Sequence, residues 1–423
     1  MKNYKIDTLC VQAGYEPKSG EARIPPIAQS TTFFYGKTQD MADLFDLKSD
    51  GYFYSRLANP TVAAFEGKVA ALEGGVCGIG CASGMSATSL TIFTVAGAGD
   101  NVVSSSAIYG GTYNLFSTTL PKLGIECRFF DPDAPAEEIE KLIDDKTKLI
   151  FTETVANPAI VVLDFDKISK IAEKHGVLFA VDNTLATPVL CRPKEFGAHI
   201  IIHSSSKYLD GHAAALGGVI VDLGNFHFKN NARYKSFNEP DESYHGLVYA
   251  DLPVAFGTKC RAQMMRDFGA IMSPQNGFIS YIGSDTLALR MERHSENAKK
   301  VAEYLSKHPK IEWINHPSLP DNKYHKLAKK YMPNGQGGML SFGIKGSVEK
   351  CAAFMEALQL ITQETHVADV RSCVLHPAST THRQLSEDDL KKAGVPHNLI
   401  RLSVGIENAA DIIADLEQAL TKV

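Results

Sequence analysis

From about residue 76 to residue 223, short apolar runs alternate with amphipathic stretches, and that alternation leaves few folds open. The runs Val76–Ala82, Asn101–Ser105, Ile125–Phe130, Lys148–Glu153, Val177–Asp182, Ile200–Ser204 and Gly218–Asp222 have the length and composition of buried strands. Between them, Ala87–Ala96, Ala136–Leu142 and Ile168–His175 carry apolar residues at helical spacing. The pattern predicts an α/β fold whose mostly parallel sheet has helices on both faces. Such sheets bind ligands at the carboxyl ends of their strands. The polar residues that end these strands are therefore expected on one rim: Glu153 with Asn157, Asp182 with Asn183, and Ser204 with Lys207. Tyr109 follows a strand, opens the next helix and is expected at the same rim.

The stretch Ala198–His212 concentrates the chemistry. An unbroken apolar run closes on hydroxyls and one lysine, Lys207. An amine where a buried strand meets a loop has two uses. Partly desolvated, it is more easily neutral and can condense with a carbonyl. Otherwise it caps the strand end and reaches solvent.

Composition narrows the class. At 423 residues the chain is long enough for a large core and two domains. A formal net charge of -5, with no basic tail or acidic block, gives no footprint for nucleic acid. The first residues lack the apolar core of a secretion signal, and no apolar run has membrane-spanning length. The eight cysteines are scattered through apolar stretches, which predicts free thiols in a reducing cytoplasm. Cys77 and Cys81 have no second Cys or His pair at zinc spacing nearby, so no metal site is expected.

Outside the alternating region the chain reads in three parts. Residues 1–60 lack sustained periodicity and are expected to form an arm on a neighbouring subunit, with Tyr54 and Arg56 delivered to that subunit's site; a surface loop is the other reading. Residues 61–260 form the large domain, opening with a helix from Thr61 that ends at Gly74-Gly75. Within it, Ser83-Gly-Met-Ser86 makes a small-residue turn at a helix start, where free backbone N–H groups suit a phosphate; a serine cap with a packing glycine explains it equally well. The aromatic segment from Asn225 to about Thr258 reads as a lid or a pocket wall. Residues 261–423 form a smaller α/β domain with a long helix over Leu287–His308. It contains the polar loop His376–His382, and an arginine, Arg401, inside the apolar strand Leu399–Gly405. A buried arginine needs a partner, either a structural carboxylate or that of a substrate.

An amine (Lys207), a carboxylate (Asp182) and an anion cradle (Ser83–Met85) at one rim are what pyridoxal phosphate requires. Ser204-Ser-Ser-Lys207 also matches the S-x-x-K motif of serine acyl hydrolases. Its companion K-T-G and S-D-N motifs are absent, and here it ends a strand where it should open a helix. A non-catalytic binding protein would have no need of Lys207, Asp182 and Arg401 together.

Several motifs in order resemble the pyridoxal-phosphate enzymes of cysteine and methionine metabolism. They are Tyr54-Ser-Arg56 with Asn59-Pro-Thr61, Ala82-Ser-Gly-Met85, Tyr109-Gly-Gly-Thr112, Val181-Asp-Asn-Thr184, His203-Ser-Ser-Ser-Lys-Tyr208, His376-Pro-Ala-Ser-Thr-Thr-His382 and Arg401-Leu-Ser-Val-Gly405. Glu239–Leu247 and Ser273–Phe278 resemble the sulfhydrylase branch of that family. The resemblance implies a fold type I pyridoxal-phosphate transferase with a large domain and a smaller C-terminal one. It implies that Lys207 holds the cofactor and shuttles protons, Asp182 pairs with the pyridine nitrogen, and Tyr109 stacks on the ring and assists proton transfer. Gly84, Met85, Ser204 and Ser206 would bind the phosphate, joined by Tyr54 and Arg56 of a neighbouring subunit. Asn157 would lie beside the ring hydroxyl, and Arg401, with Tyr54 nearby, would bind the substrate. The implied assembly is a homotetramer of two active dimers. The implied reaction is γ-replacement, O-acetyl-L-homoserine plus sulfide or a small thiol giving homocysteine or methionine and acetate; a carrier protein's thiocarboxylate is a further possible sulfur donor. The alternative is an α,γ-elimination of the gamma-lyase type.

Three positions depart from the family pattern. Ser206 stands where a threonine is usual and keeps the hydroxyl. Gly111 stands where methionine gamma-lyases have cysteine, which argues against that activity. Ala368 replaces an expected glycine before Asp369, so a different shape is expected for the loop Thr365–Ser372.

Overall fold

The computed structural model describes residues 4–381, 383 and 395–423. His382, at the end of the polar loop, lies outside the described residues. Seven strands form the larger sheet: β1 (Cys77–Cys81), β2 (Asn101–Ser105), β3 (Glu126–Phe130), β4 (Thr147–Glu153), β5 (Leu178–Asp182), β6 (Ile200–His203) and β7 (Gly218–Asp222). Their spatial order is β1-β7-β6-β5-β4-β2-β3. Neighbours from β6 through β3 pair in parallel, whereas β7 runs against both β1 and β6.

The apolar runs follow from burial on both faces. Because side chains alternate along a strand, each run feeds two cores. Ile150, Phe179, Val181, Ile201 and Val221 point into one, whereas Leu149, Phe151, Leu178, Ala180, Ile202 and Ile220 point into the other. Helix α3 (Pro60–Glu73) opens on Pro60 after the cap Asn59, whose side chain accepts from Thr61 N and Val62 N, and stops at Gly74.

A second, smaller sheet comprises β8 (Ile311–Asn315), β9 (Met339–Ile344), β10 (Thr362–Gln363), β11 (Cys373–Leu375) and β12 (Leu399–Ser403), in the order β10-β11-β12-β9-β8. It has its own apolar core with the helices Leu287–Leu305, Val348–Ala357 and Ala409–Leu420. No helix among the described residues is long and apolar enough to cross a membrane.

Without sustained periodicity, the first 60 residues still hold helices Ile6–Gln12 and Thr38–Phe45. At seven and eight residues these are too short to display a sustained period. Much of the segment is open to solvent, with Phe34 93% exposed. The segment 225–258, expected as a lid or pocket wall, does not line the ligand rim of its own chain. It folds into short helical turns whose aromatic rings pack on one another, Phe228 stacking on Phe237 at 4.0 Å. The Tyr234 hydroxyl donates to Lys148 O and accepts from Leu178 N, both at 2.7 Å. That staples the segment to the starts of β4 and β5, the end of the sheet opposite the ligand rim.

Candidate active site

At the carboxyl ends of the parallel strands lies a cavity of about 490 Å³. Among the residues on its wall are Ser83, Gly84, Met85, Tyr109, Glu153, Asn157, Asp182, Ser204, Ser206 and Lys207, joined by Thr365 and His366 of the loop between β10 and β11 and by Arg401 of β12. The anticipated rim is thus assembled, with one exception. Asn183 points the other way, as adjacent residues on a strand end must. Its amide donates to Glu73 Oε1 and Cys191 O inside the protein, and His203 Nε2 lies 2.7 Å from the same Glu73 oxygen.

Lys207 follows β6 and is partly buried. Burial first, then the charge of Arg401, push its amine down to about 8. Its Nζ lies 3.2 Å from His366 Nδ1. Asp182 ends β5, and its Oδ1 accepts from Thr184 N at 2.9 Å. Glu153 is its register partner on β4 and accepts from Tyr109 N at 2.7 Å, which fixes the start of the tyrosine's helix. Burial and the neighbouring Asp182 hold the Glu153 carboxyl well above its ordinary range.

Helix α4 (Gly84–Val95) starts on Ser83, whose hydroxyl accepts from Ser86 N. That leaves the amides of Gly84 and Met85 with no acceptor inside the helix. A Cβ on Gly84 would come within 2.6 Å of Ser204 Cβ, so glycine keeps this corner open. Ser206 is already engaged: its hydroxyl donates to Gly217 O at 3.2 Å and accepts from Gly217 N at 2.9 Å.

Arg401, on β12, is 6% exposed. It makes no ion pair among the described residues. Its Nη2 donates to the carbonyls of Thr365 and His366 at 3.4 and 3.2 Å, and its Nε has no acceptor. Desolvation pushes it down to about 10. Among the described residues no structural carboxylate pairs with Arg401, and the buried cation faces the cavity without a counter-ion from them.

Comparison with known proteins shows which chemistry this arrangement serves. The profile of the Cys/Met metabolism PLP-dependent enzyme family matches residues 7–421. The chain belongs to this family. It is 44% identical to an O-acetyl-L-homoserine sulfhydrylase of Leptospira meyeri, over 100% of this chain and 98% of that one. It is also 44% identical to a homocysteine synthase of Schizosaccharomyces pombe, over 98% of each. A solved structure from Campylobacter jejuni, described as an O-acetylhomoserine (thiol)-lyase bearing N′-pyridoxyl-lysine-5′-monophosphate, superposes with a TM-score of 0.96 at 43% identity, covering 99% of this chain and 100% of that one.

The cavity of this pyridoxal-phosphate enzyme fits its cofactor. The two free amides beside an open glycine corner suit a phosphate. Asn157 Oδ1 is buried without a partner, as a group awaiting a polar ligand would be. Gly84→Ala is therefore expected to weaken cofactor retention by crowding Ser204; a dialysis-and-absorbance assay that finds wild-type retention would show that the corner is not the cradle.

Tyr54 and Arg56 do not reach the cavity of their own chain. The Arg56 guanidinium lies 5.2 Å from the Tyr54 ring centroid and donates to Arg266 O. His366 was not anticipated. Its contact with Lys207 joins residues 159 apart and leaves no local sequence signal.

The loop carrying His366 has a further feature. Ala368 is buried at φ 64, the left-handed conformation that glycine tolerates best, and its amide donates to Ser403 Oγ at 2.8 Å. Ala368→Gly is expected to stabilise the protein by up to about 1 kcal/mol through relief of this strain, partly offset by unfolded-chain entropy. A lower unfolding midpoint in that variant would contradict this reading.

Proposed function

We propose that the chain catalyses γ-replacement, exchanging the acetate of O-acetyl-L-homoserine for sulfide or a small thiol to give homocysteine or its thioether. The observation that carries this is an uncompensated Arg401 in one cavity with Lys207 and Asp182, in a chain 44% identical to an O-acetyl-L-homoserine sulfhydrylase. Bound pyridoxal phosphate supplies a ring that withdraws electrons from the amino acid. When bound, the cofactor would be held by Lys207, with Asp182 at its pyridine nitrogen, Tyr109 over its ring and Asn157 at its hydroxyl, and Gly84, Met85, Ser204 and Ser206 would bind the phosphate.

Arg401 anchors the substrate carboxylate by charge-assisted hydrogen bonds. Lys207 then serves as the base at Cα and, once it has given up that proton, as the base at Cβ, and it protonates both carbons again after the sulfur nucleophile has replaced acetate at Cγ. An amine lowered to about 8 suits a base that must both accept and release protons near neutral pH. Gly111 stands where the gamma-lyases carry a cysteine, and a Cβ there would lie 2.5 Å from Tyr109 Cε1, so the present position of the ring needs the glycine.

We further read the site as shared between copies, with Tyr54 and Arg56 supplied by the second chain of a dimer, two dimers forming a tetramer that works in the cytoplasm. The exposed segment around Phe34 and the distance of both residues from their own cavity support this. Co-refolding of inactive Lys207→Ala and Arg56→Ala chains is expected to restore activity, since a mixed dimer contains one intact site; failure to complement would place Arg56 outside the site. For the reaction itself, purified protein supplied with O-acetyl-L-homoserine and sulfide is expected to form homocysteine, measured by mass spectrometry. A protein that binds pyridoxal phosphate but forms none would overturn the proposal.

A further inference from the structure

Among the described residues, three buried polar atoms on the cavity wall have no hydrogen-bond partner: Asn157 Oδ1, Arg401 Nε and His366 Nε2. The proposed chemistry uses the first two residues and leaves His366 idle. Its other ring nitrogen, Nδ1, lies 3.2 Å from Lys207 Nζ. While its amine is free Lys207 is an ammonium near neutral pH and offers only donors, so Nδ1 meets it as an acceptor and the ring hydrogen sits on Nε2. Burial, and next the charge of Lys207, hold His366 below its ordinary range, so the ring is neutral at pH 7. Nε2–H is thus a desolvated donor that lacks an acceptor, a costly arrangement unless a ligand satisfies it. The residue is held in place: its carbonyl accepts from Arg401 Nη2 and from Cys373 Sγ, both at 3.2 Å.

An O-acyl amino acid brings two oxygen-bearing groups to this wall. The α-carboxylate matches the guanidinium of Arg401. The acyl ester on Cγ remains, and of the buried, unpartnered wall atoms named above His366 Nε2–H is the donor not yet assigned. We propose that His366 hydrogen-bonds the acyl ester and is the residue that selects an esterified substrate over amino acids of similar length without an ester. This rests on the γ-replacement reading. As the Cγ–O bond breaks, its electron pair stays on the departing carboxylate oxygen, and the hydrogen bond strengthens while the proton stays on His366.

The test compares holoenzyme variants on two ligands, O-acetyl-L-homoserine with sulfide, and L-norleucine, which has the carboxylate but no ester. His366→Leu is expected to lower kcat/KM for the ester about tenfold or more. Norleucine affinity, read from the cofactor's absorbance, and deuterium exchange at its Cα, read by NMR, are expected to stay within about twofold. His366→Gln, which returns an amide donor near the Nε2 position, is expected to recover most of the loss. Equal losses on both ligands would mean that His366 acts on Lys207 or the carboxylate, and no loss on either would mean that it does neither; both results overturn the inference. Wild-type protein that binds norleucine but makes no homocysteine defeats the γ-replacement reading and this inference with it, whereas active wild type with unaltered variants defeats this inference alone.

Discussion

Lys207→Ala is expected to lower turnover by at least about a thousandfold while leaving the fold intact, because in the proposed reaction one residue supplies both the attachment of the cofactor and the base. The structure explains why the loss is confined to function. Lys207 sits in the turn after β6 with its amine against His366 Nδ1, and the strand beneath it is held by its neighbours β5 and β7. Removing the amine takes away a partly desolvated charge, so the unfolding midpoint is expected to move little. Circular dichroism, thermal unfolding and steady-state turnover on the same preparation check this. Near-normal turnover would show that another group is the base.

Arg401→Ala is expected to raise KM for the amino-acid substrate by roughly ten- to a hundredfold, with a smaller effect on kcat. Hydrogen bonds to charged groups contribute about 1.5–3 kcal/mol each, and Arg401 offers the substrate at least its free Nε. Among the described residues its partners are two backbone carbonyls, so its loss strands no carboxylate among them and the fold is expected to survive. Initial rates over a range of O-acetyl-L-homoserine concentrations decide the matter. An unchanged KM would make Arg401 a structural residue.

Most of what positions the site was legible because it is local. Strands buried on both faces must be apolar throughout, so β2 and β7 stand where their runs predict, and a charged residue inside such a run, Arg401, announces itself. Legibility failed where the deciding contact is distant or the local pattern is ambiguous. Aromatic residues from Phe226 to Tyr249 suit a lid as well as a core, and only the docking of Tyr234 on Lys148 and Leu178 separates the two. Asp182 and Asn183 are equivalent as strand-ending polar residues, yet one faces the cavity and the other Glu73. His366 acquires its meaning from Lys207 alone.

The central claim is replacement at Cγ, and the most direct measurement follows acetate and homocysteine together by proton NMR, with and without sulfide. The account predicts acetate release that depends on sulfide and matches homocysteine one for one. Acetate released equally fast without sulfide, together with 2-oxobutyrate and ammonia, would contradict it and make the enzyme an eliminating lyase.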